Sequence, residues 1–315
     1  MRRSGGSLAT VGLIMLAVVA LVLAFAAMRS TRSSPTPTPT GSALATPSED
    51  KKPNKGEPGG DPGVTNALPE TIEPPLLMVD AELAYRGRTG TCLGGATLER
   101  TTNGGNAWRP LDVPAEAILD LRAVGADSVE VVGADERCRV QVWSSVDAGQ
   151  TWSEPARASG IFVRRADTAR EIETPSGVVR NPCPDRDIAP LSVEQVSETE
   201  AVLLCGGGEV VVTADSGVTW DARTPVVGAQ AVAFEGPQLG WVLVRDGASC
   251  PHYEAQVTQD GGTSWNLGGC LGDVRIDDDR VLPSLSFATP TDGWADLAGQ
   301  SWLSPDGGLR WRLPS

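Results

Sequence analysis

Residues equipped for chemistry are few in this chain of 315 amino acids. Its one histidine, His252, has no serine and aspartate pattern beside it that suits a nucleophilic triad. Tyr253 and Glu254 are a nucleophile and a base by type. Neighbours on one strand point to opposite faces, however, which does not suit a working pair. Gly206-Gly207-Gly208 joins two strand-like runs, whereas a phosphate loop leads into a helix. Asp277-Asp278-Asp279 offers oxygen ligands for Ca²⁺, and the plainer reading of the same run is a solvated acidic loop. Arg86, Arg88, Arg137, Arg164, Arg165, Arg180 and Arg186 could together grip an anionic ligand, or could simply be solvated on loops. No catalytic residue, cofactor or metal site is expected from these residues.

The elements that must position them are marked by one pattern: hydroxyl, any, Asp or Asn, any, Gly, any, any, Trp. The first copy is Thr101, Asn103, Gly105 and Trp108; the second is Ser145, Asp147, Gly149 and Trp152. The third is Thr213, Asp215, Gly217 and Trp220. Two further copies are Thr258, Asp260, Gly262 and Trp265, then Ser304, Asp306, Gly308 and Trp311. Such a stretch predicts a tight hairpin turn. The carboxylate and hydroxyl accept backbone N–H bonds, with those of the Asp expected two residues on. The Gly takes positive φ, and the Trp opens the next strand, largely buried, covering the turn with apolar surface.

This pattern resembles the Asp box of bacterial sialidase-type (BNR) repeat β-propellers. Ser286 to Trp294 with the last box, echoed by Leu239-Gly240-Trp241, resembles the blade repeat of photosystem II assembly factor-like proteins. The first resemblance implies that the boxes are structural and lie away from any active site. A sialidase also needs an arginine triad, a Tyr–Glu pair and an Asp acid. The Arg-Ile-Pro element that usually precedes its first box is missing; the nearest likeness, Arg109-Pro110, follows a box.

Successive box tryptophans are 44, 68, 45 and 46 residues apart. A period in the forties suits a four-stranded propeller blade. Ala117–Val124, Ser128–Gly133 and Arg139–Ser145 read as three strands of one blade, with a fourth from Thr151 onward. The expected fold is all-β, a five-bladed propeller over residues 76–315. Residues 153–186 read as one long loop, with a sixth, degenerate blade as the alternative. Trp143, Trp241, Trp294 and Trp302 are expected to pack between blades.

Before the propeller, residues 1–7 read as a cytoplasmic tail carrying Arg2 and Arg3. Leu8 to Met28 is 21 residues without a charge, long enough to cross a bilayer core of about 30 Å as a transmembrane signal anchor. The alternative is a cleaved signal peptide ending near Ala24-Phe25-Ala26. Residues 29–75 read as a disordered linker rich in Pro, Thr and Gly.

From residue 64 onward the formal charge is −17, which disfavours nucleic acid and anionic lipid as partners. All six cysteines follow the apolar run, as suits an oxidising compartment, and no Cys-x-x-Cys occurs. Cys92, Cys138, Cys205 and Cys250 precede their box Trp by 14 to 16 residues. That spacing places them in turns between second and third strands, on the face opposite the boxes. Cys183 and Cys270 read as lying in connections between blades, on that same face. Fifteen pairings are open, and proximity favours Cys92–Cys138, Cys183–Cys205 and Cys250–Cys270.

The expected function is a non-catalytic binding or assembly scaffold at the cell envelope: a single-pass membrane protein with its propeller outside the cytoplasm. It would bind an unidentified protein or glycan on the cysteine-bearing face. The alternative is an exo-acting glycoside hydrolase of sialidase-like fold, which needs two carboxylates facing one another across that face.

Overall fold

Six small antiparallel sheets succeed one another around a channel in the computed structural model, which describes residues 72–168, 170–272 and 281–315. The candidate anchor and the linker up to residue 71 lie outside the described residues, as does Asp277-Asp278-Asp279. Blade 1 comprises Leu76–Met78, Ala84–Arg88, Thr97–Thr101 and Arg109–Leu111. Blade 2 comprises Ala117–Gly125, Ser128–Ala134, Val140–Ser145 and Ala156–Arg157; the first three lie within a residue of the expected strands, and the fourth begins five residues after Thr151. Blade 4 comprises Ser192–Gln195, Ala201–Leu204, Val210–Thr213 and Asp221–Ala222. Blade 5 comprises Ala229–Glu235, Leu239–Arg245, Tyr253–Thr258 and Asn266–Leu271. Blade 6 has Ser284–Phe287, Gly293–Leu297 and Gln300–Ser304, with a single bridge from Leu303 to Arg312 in place of a fourth strand.

Blade 3 corrects the five-blade count. It lies inside the stretch expected to be a loop and is a three-stranded sheet: Val163–Arg164, Glu171–Thr174 and Gly177–Arg180. Its inner strand runs opposite to that of blade 4. The Phe162 N–H bonds Gln195 at the end of the blade 4 inner strand, whereas Arg164 reaches the carbonyls of Pro190 and Leu191 at its start. Blade 3 therefore lacks the usual first strand, and its three correspond to the second, third and fourth of the others. The Thr174–Gly177 turn stands where a box would: Ser176 N–H bonds the carbonyl of Ser216 in the blade 4 box. Strands of two to four residues, without a box or a tryptophan, leave no periodic signal.

The five box turns repeat one geometry. The hydroxyl of Thr101, Ser145, Thr213, Thr258 or Ser304 donates to the Asp or Asn two residues on at 2.8–3.2 Å. The same oxygen accepts the box glycine N–H, four residues on, at 2.8–3.1 Å. The Oδ1 of Asn103, Asp147, Asp215, Asp260 or Asp306 accepts the N–H four residues further, at 2.8–3.0 Å, rather than two residues on as expected. The chain must reverse within three residues, and this needs two successive left-handed residues. Gly105, Gly149, Gly217, Gly262 and Gly308 have φ of 84–87°, and each residue before them has φ of 61–72°. Trp108, Trp152, Trp220, Trp265 and Trp311 are only half-buried, less covered than expected, because each caps the outer end of its blade.

Packing between blades comes from the other tryptophans. Trp143, Trp241, Trp294 and Trp302 are all buried. Trp241 stacks on Phe287 of the next blade at 3.6 Å, and Trp294 meets Trp108 edge-on at 5.9 Å across the junction of blades 6 and 1. Blade 1 takes all its strands from Leu76–Leu111, so among the described residues no sheet combines the first and last strands of the propeller. The junction is held by side chains instead: Arg86 pairs with Asp296 at 2.8 Å, and the Met78 N–H bonds Ser286 Oγ.

Three disulfides form as Cys92–Cys138, Cys183–Cys205 and Cys250–Cys270, the expected pairing. The first joins the second-to-third-strand turns of blades 1 and 2, and the second joins blade 3 to blade 4. The third closes blade 5 on itself, because Cys270 lies at the end of its outer strand and not in a connection. Such staples suit an oxidising compartment. Among the described residues no helix is long and apolar enough to cross a membrane.

Candidate functional site

Side chains alternate along a strand, so each inner strand turns every second residue toward the channel. Blade 2 contributes Asp120 there, blade 3 Arg164, and blade 4 Ser192 and Glu194. Residues 73–75, just before blade 1, cross this opening at the end on the cysteine-bearing face. The Glu73 N–H bonds the Leu191 carbonyl at 3.0 Å, and the Gly87 N–H bonds the Pro75 carbonyl at 2.8 Å. The Glu73 carboxyl accepts the N–H of Leu285 at 3.1 Å and of Val232 at 3.4 Å. One residue thus ties blades 4, 5 and 6 together. Beside it remains a cavity of about 40 Å³, lined by Glu73, Asp120, Arg164, Ser192, Glu194 and Leu285 among others. That is room for about one water molecule.

Three carboxyls so close together oppose one another's ionisation. Burial pushes Glu73 up to about 8, against the opposing pull of Ser192, the two N–H donors and Arg164. Glu194 is raised well above the usual carboxylate range by burial, and further by the charges of Glu73 and Asp120. Asp120 is raised by burial, although Arg122 holds it at 2.9 Å. Asp120 keeps 29 % of its side-chain surface open and Glu194 is half-buried, so solvent reaches both and moderates the effect of burial. Burial lowers Arg164 to about 10, and two backbone carbonyls hold it at 2.6 and 2.8 Å. Arg122 also donates to Gln195 at 2.7 Å. Among the described residues no group of His, Cys, Asp and Glu could hold a metal ion.

The seven arginines expected to share a site are spread over separate places. Arg86 is held by Glu99 and Asp296, each at 2.8 Å, and lies 4.2 Å from the Trp108 ring centre. Arg88 stands with Arg86 at a cavity of about 300 Å³ between blades 1 and 6. Arg164 is in the channel. Arg165 is paired with Asp167 at 2.8 Å. Arg180 lies 3.5 Å from Asp187, and Arg137 lies 3.9 Å from Glu136. Arg186 is exposed. Local carboxylates thus take up most of the charge that was expected to meet a ligand. Tyr253 and Glu254 are both buried: Tyr253 Oη bonds Gln230, and Glu254 accepts from Ser249 N–H and Gln256.

The box residues sit apart from the channel acids. Asn103, Trp108 and Gly149 border a groove of about 700 Å³ between blades 1 and 2, on the box side. Gly105, Gly217, Gly262 and Gly308, with Trp152, Trp220, Trp265 and Trp311, line neither that groove nor the channel cavity. Their contacts are those of packing. Each box glycine faces the preceding blade, and at all but Gly262 a Cβ would crowd it. At Gly105 it would meet Ser301 and Trp294 at 2.8 Å, and at Gly217 it would meet Thr174 at 2.7 Å. At Gly308 it would come within 3.2 Å of Trp241, whereas at Gly262 it would stay 3.4 Å from Arg223. The box tryptophans fasten the turns. Trp152 Nε1 donates to the Asp112 carbonyl at 2.8 Å, while Trp220 and Trp311 each donate to their own box glycine carbonyl at 3.2 Å. Trp265 instead meets Phe234 edge-on at 6.3 Å.

Sequence reasoning passed over Glu73, Asp120, Arg122, Ser192 and Glu194. The available signal was a polar residue at every second position of a strand, Asp120 with Arg122 and Ser192 with Glu194.

No family profile matches this chain, and no curated protein matches its sequence. Among solved structures it is similar to YCF48 bound to D1 peptide, at 14 % identity over 76 % of this chain and 93 % of that one, with a TM-score of 0.40. YCF48 from Cyanidioschyzon merolae is 15 % identical over 78 % of this chain and 85 % of its own, with a TM-score of 0.42. The GH74 xyloglucanase from Xanthomonas campestris is 14 % identical over 80 % of this chain, with a TM-score of 0.44. This chain covers 49 % of that enzyme. These likenesses are of β-propeller fold alone.

Proposed function

We propose that the chain is a non-catalytic binding or assembly scaffold of the cell envelope, held at the membrane by residues 8–28, with its propeller outside the cytoplasm. The observation that carries this reading is the obstructed channel. Its three carboxyls offer the acid–base chemistry of a hydrolase, yet residues 73–75 leave about 40 Å³ beside them, too little for a sugar ring. Binding then falls to the cysteine-bearing face, where two of the three disulfides fix blade-to-blade spacing. A protein or glycan is the ligand class we assign to that face, and the three disulfides support the extracytoplasmic location.

The second reading, a glycoside hydrolase, rests on Asp120 and Glu194, whose carboxyls are raised in a shared channel. It requires residues 73–75 to leave. The test is full-length protein in detergent assayed against a panel of aryl glycosides. We expect no turnover; hydrolysis lost in both Asp120→Asn and Glu194→Gln would replace the scaffold by the enzyme. For the anchor, we expect membrane-pelleted protein that needs detergent for release. A mature species starting near Ala27 in the medium would show a cleaved signal peptide instead.

A further inference from the structure

We propose that Ile72–Pro75 is an exchangeable strap, seated in a peptide site of its own propeller, which gives way to an extended acidic, proline-containing segment from another chain. The seat is built rather than incidental. Ile72 and Glu73 are each only 8 % exposed, and Glu73 alone bonds three blades. The strap is nevertheless separable. Only its last residue continues a ladder, the Gly87 N–H to Pro75 carbonyl bond extending the Leu76–Arg86 pairing of blade 1. Pro74 and Pro75 have no N–H to give, so the strap's main-chain hold from 73 to 75 is the Glu73 N–H and the Pro75 carbonyl. A segment with so few bonds opens at far lower cost than the sheets around it.

The vacated seat would also seek a replacement. Departure leaves the Leu285 and Val232 N–H groups without their acceptor, inside the ring where water is scarce, and Arg164 without its neighbouring acid. The groups facing the seat define what can enter. Arg164 and the two N–H donors call for one acid, while Asp120 and Glu194 repel a second; Arg122 is already engaged by Asp120 and Gln195. The ligand class is therefore an apolar residue, a single Glu and flanking prolines, the chemistry of Ile72-Glu73-Pro74-Pro75 itself. We assign as its source the strap of a second copy, which carries this very segment, and a partner protein bearing the same chemistry is the other outcome of the test.

The test uses the full-length chain in detergent with Ile72→Ser and Glu73→Ala combined, titrated with the capped synthetic peptide Thr-Ile-Glu-Pro-Pro-Leu. We expect saturable one-to-one binding, at least tenfold weaker binding to the wild type, and none of a peptide with Lys for Glu. A folded variant that takes up no peptide would overturn the proposal. Heterodimers on mixing variant with wild type would identify the second copy as the source; their absence alongside peptide binding would point to a partner. Hydrogen exchange on the wild type is the arm that does not depend on the variant folding. Exchange of the Ile72, Glu73, Val232 and Leu285 amides ahead of the ladder amides supports the strap, and exchange only with global unfolding refutes it.

Discussion

Replacing Glu73 by Gln should change how stability depends on pH more than it changes stability at any one pH. Burial pushes the folded carboxyl up to about 8, from an ordinary 4.5. Below 4.5 both folded and unfolded chains hold the proton. Between 4.5 and 8 the folded chain keeps a proton that the unfolded chain has released. Stability therefore falls as pH rises through this window, by about 1.4 kcal/mol per pH unit. The loss amounts to about 3 kcal/mol by pH 7 and about 5 kcal/mol by pH 8, after which it levels off. Against a typical total of about 5–15 kcal/mol this is a large fraction.

Glu73→Gln cannot titrate, so it removes this slope. It also brings a pH-independent cost. The amide oxygen can keep the Leu285 N–H, but the amide NH₂ then faces the Val232 N–H, donor against donor, at about 1–3 kcal/mol. The variant should thus be less stable at pH 5 and gain relative to wild type up to pH 8. Urea unfolding at half-unit pH steps, followed by tryptophan fluorescence with disulfides intact, gives both curves. Asp120 and Glu194 are raised as well, and Glu194 feels the Glu73 charge, so the difference curve reports Glu73 together with its coupling to Glu194. Parallel curves from pH 5 to 8 would refute the reasoning, because they would mean that Glu73 is ionised in the folded chain at neutral pH.

Three further outcomes are expected. Ser216, at φ 65°, occupies the box position where blades 1, 5 and 6 place Gly104, Gly261 and Gly307. Ser216→Gly should therefore raise stability by about 0.5–1 kcal/mol, read as a higher melting temperature, whereas Gly261→Ala should lower it because its Cβ would meet the Pro237 carbonyl at 2.7 Å. Removing Cys92–Cys138, which spans 46 residues, should cost about 4 kcal/mol, somewhat more than removing either bridge spanning 20 or 22. Asp147 and Asp260 are held down to about 2, first by the hydroxyls of Thr151 and Ser264. They therefore stabilise the fold above pH 4 and cease to do so as pH falls through 2. Asp260→Asn should flatten that acid limb in a pH-dependent melt, lowering stability above pH 4 while adding no pH dependence in the neutral range.

What the sequence made legible follows from where its rules are local. A box is eight residues whose bonds close among themselves, so hydroxyl, acid and glycine can be read as one turn wherever they recur. Cysteine pairing was legible because box spacing fixes which turn each thiol occupies. Blade 3 was not, since it takes its place from its neighbours. Phe162 is held by Gln195, Arg164 by Pro190 and Leu191, and Ser176 by Ser216, all in blade 4. No pattern within residues 153–186 announces partners that far along the chain.

The channel acids were hidden for a related reason, and here the missing first strand of blade 3 has a functional consequence. Where the other blades offer the channel a full inner strand, blade 3 offers the two residues Val163 and Arg164. The second of these is the guanidinium that lies nearest in charge to Glu73. Arg164 bonds the Leu191 carbonyl, and the Glu73 N–H bonds that same carbonyl, so the irregular blade and the strap meet on one atom of blade 4. A regular four-stranded blade would bring its inner strand through in the opposite direction and present a different side chain at that height. The strap's seat therefore depends on the one blade that breaks the repeat. Arg164→Leu should accordingly loosen residues 72–75 in hydrogen exchange while leaving the ladders of blades 1, 5 and 6 protected. Unchanged strap exchange in that variant would separate the blade's irregularity from the site.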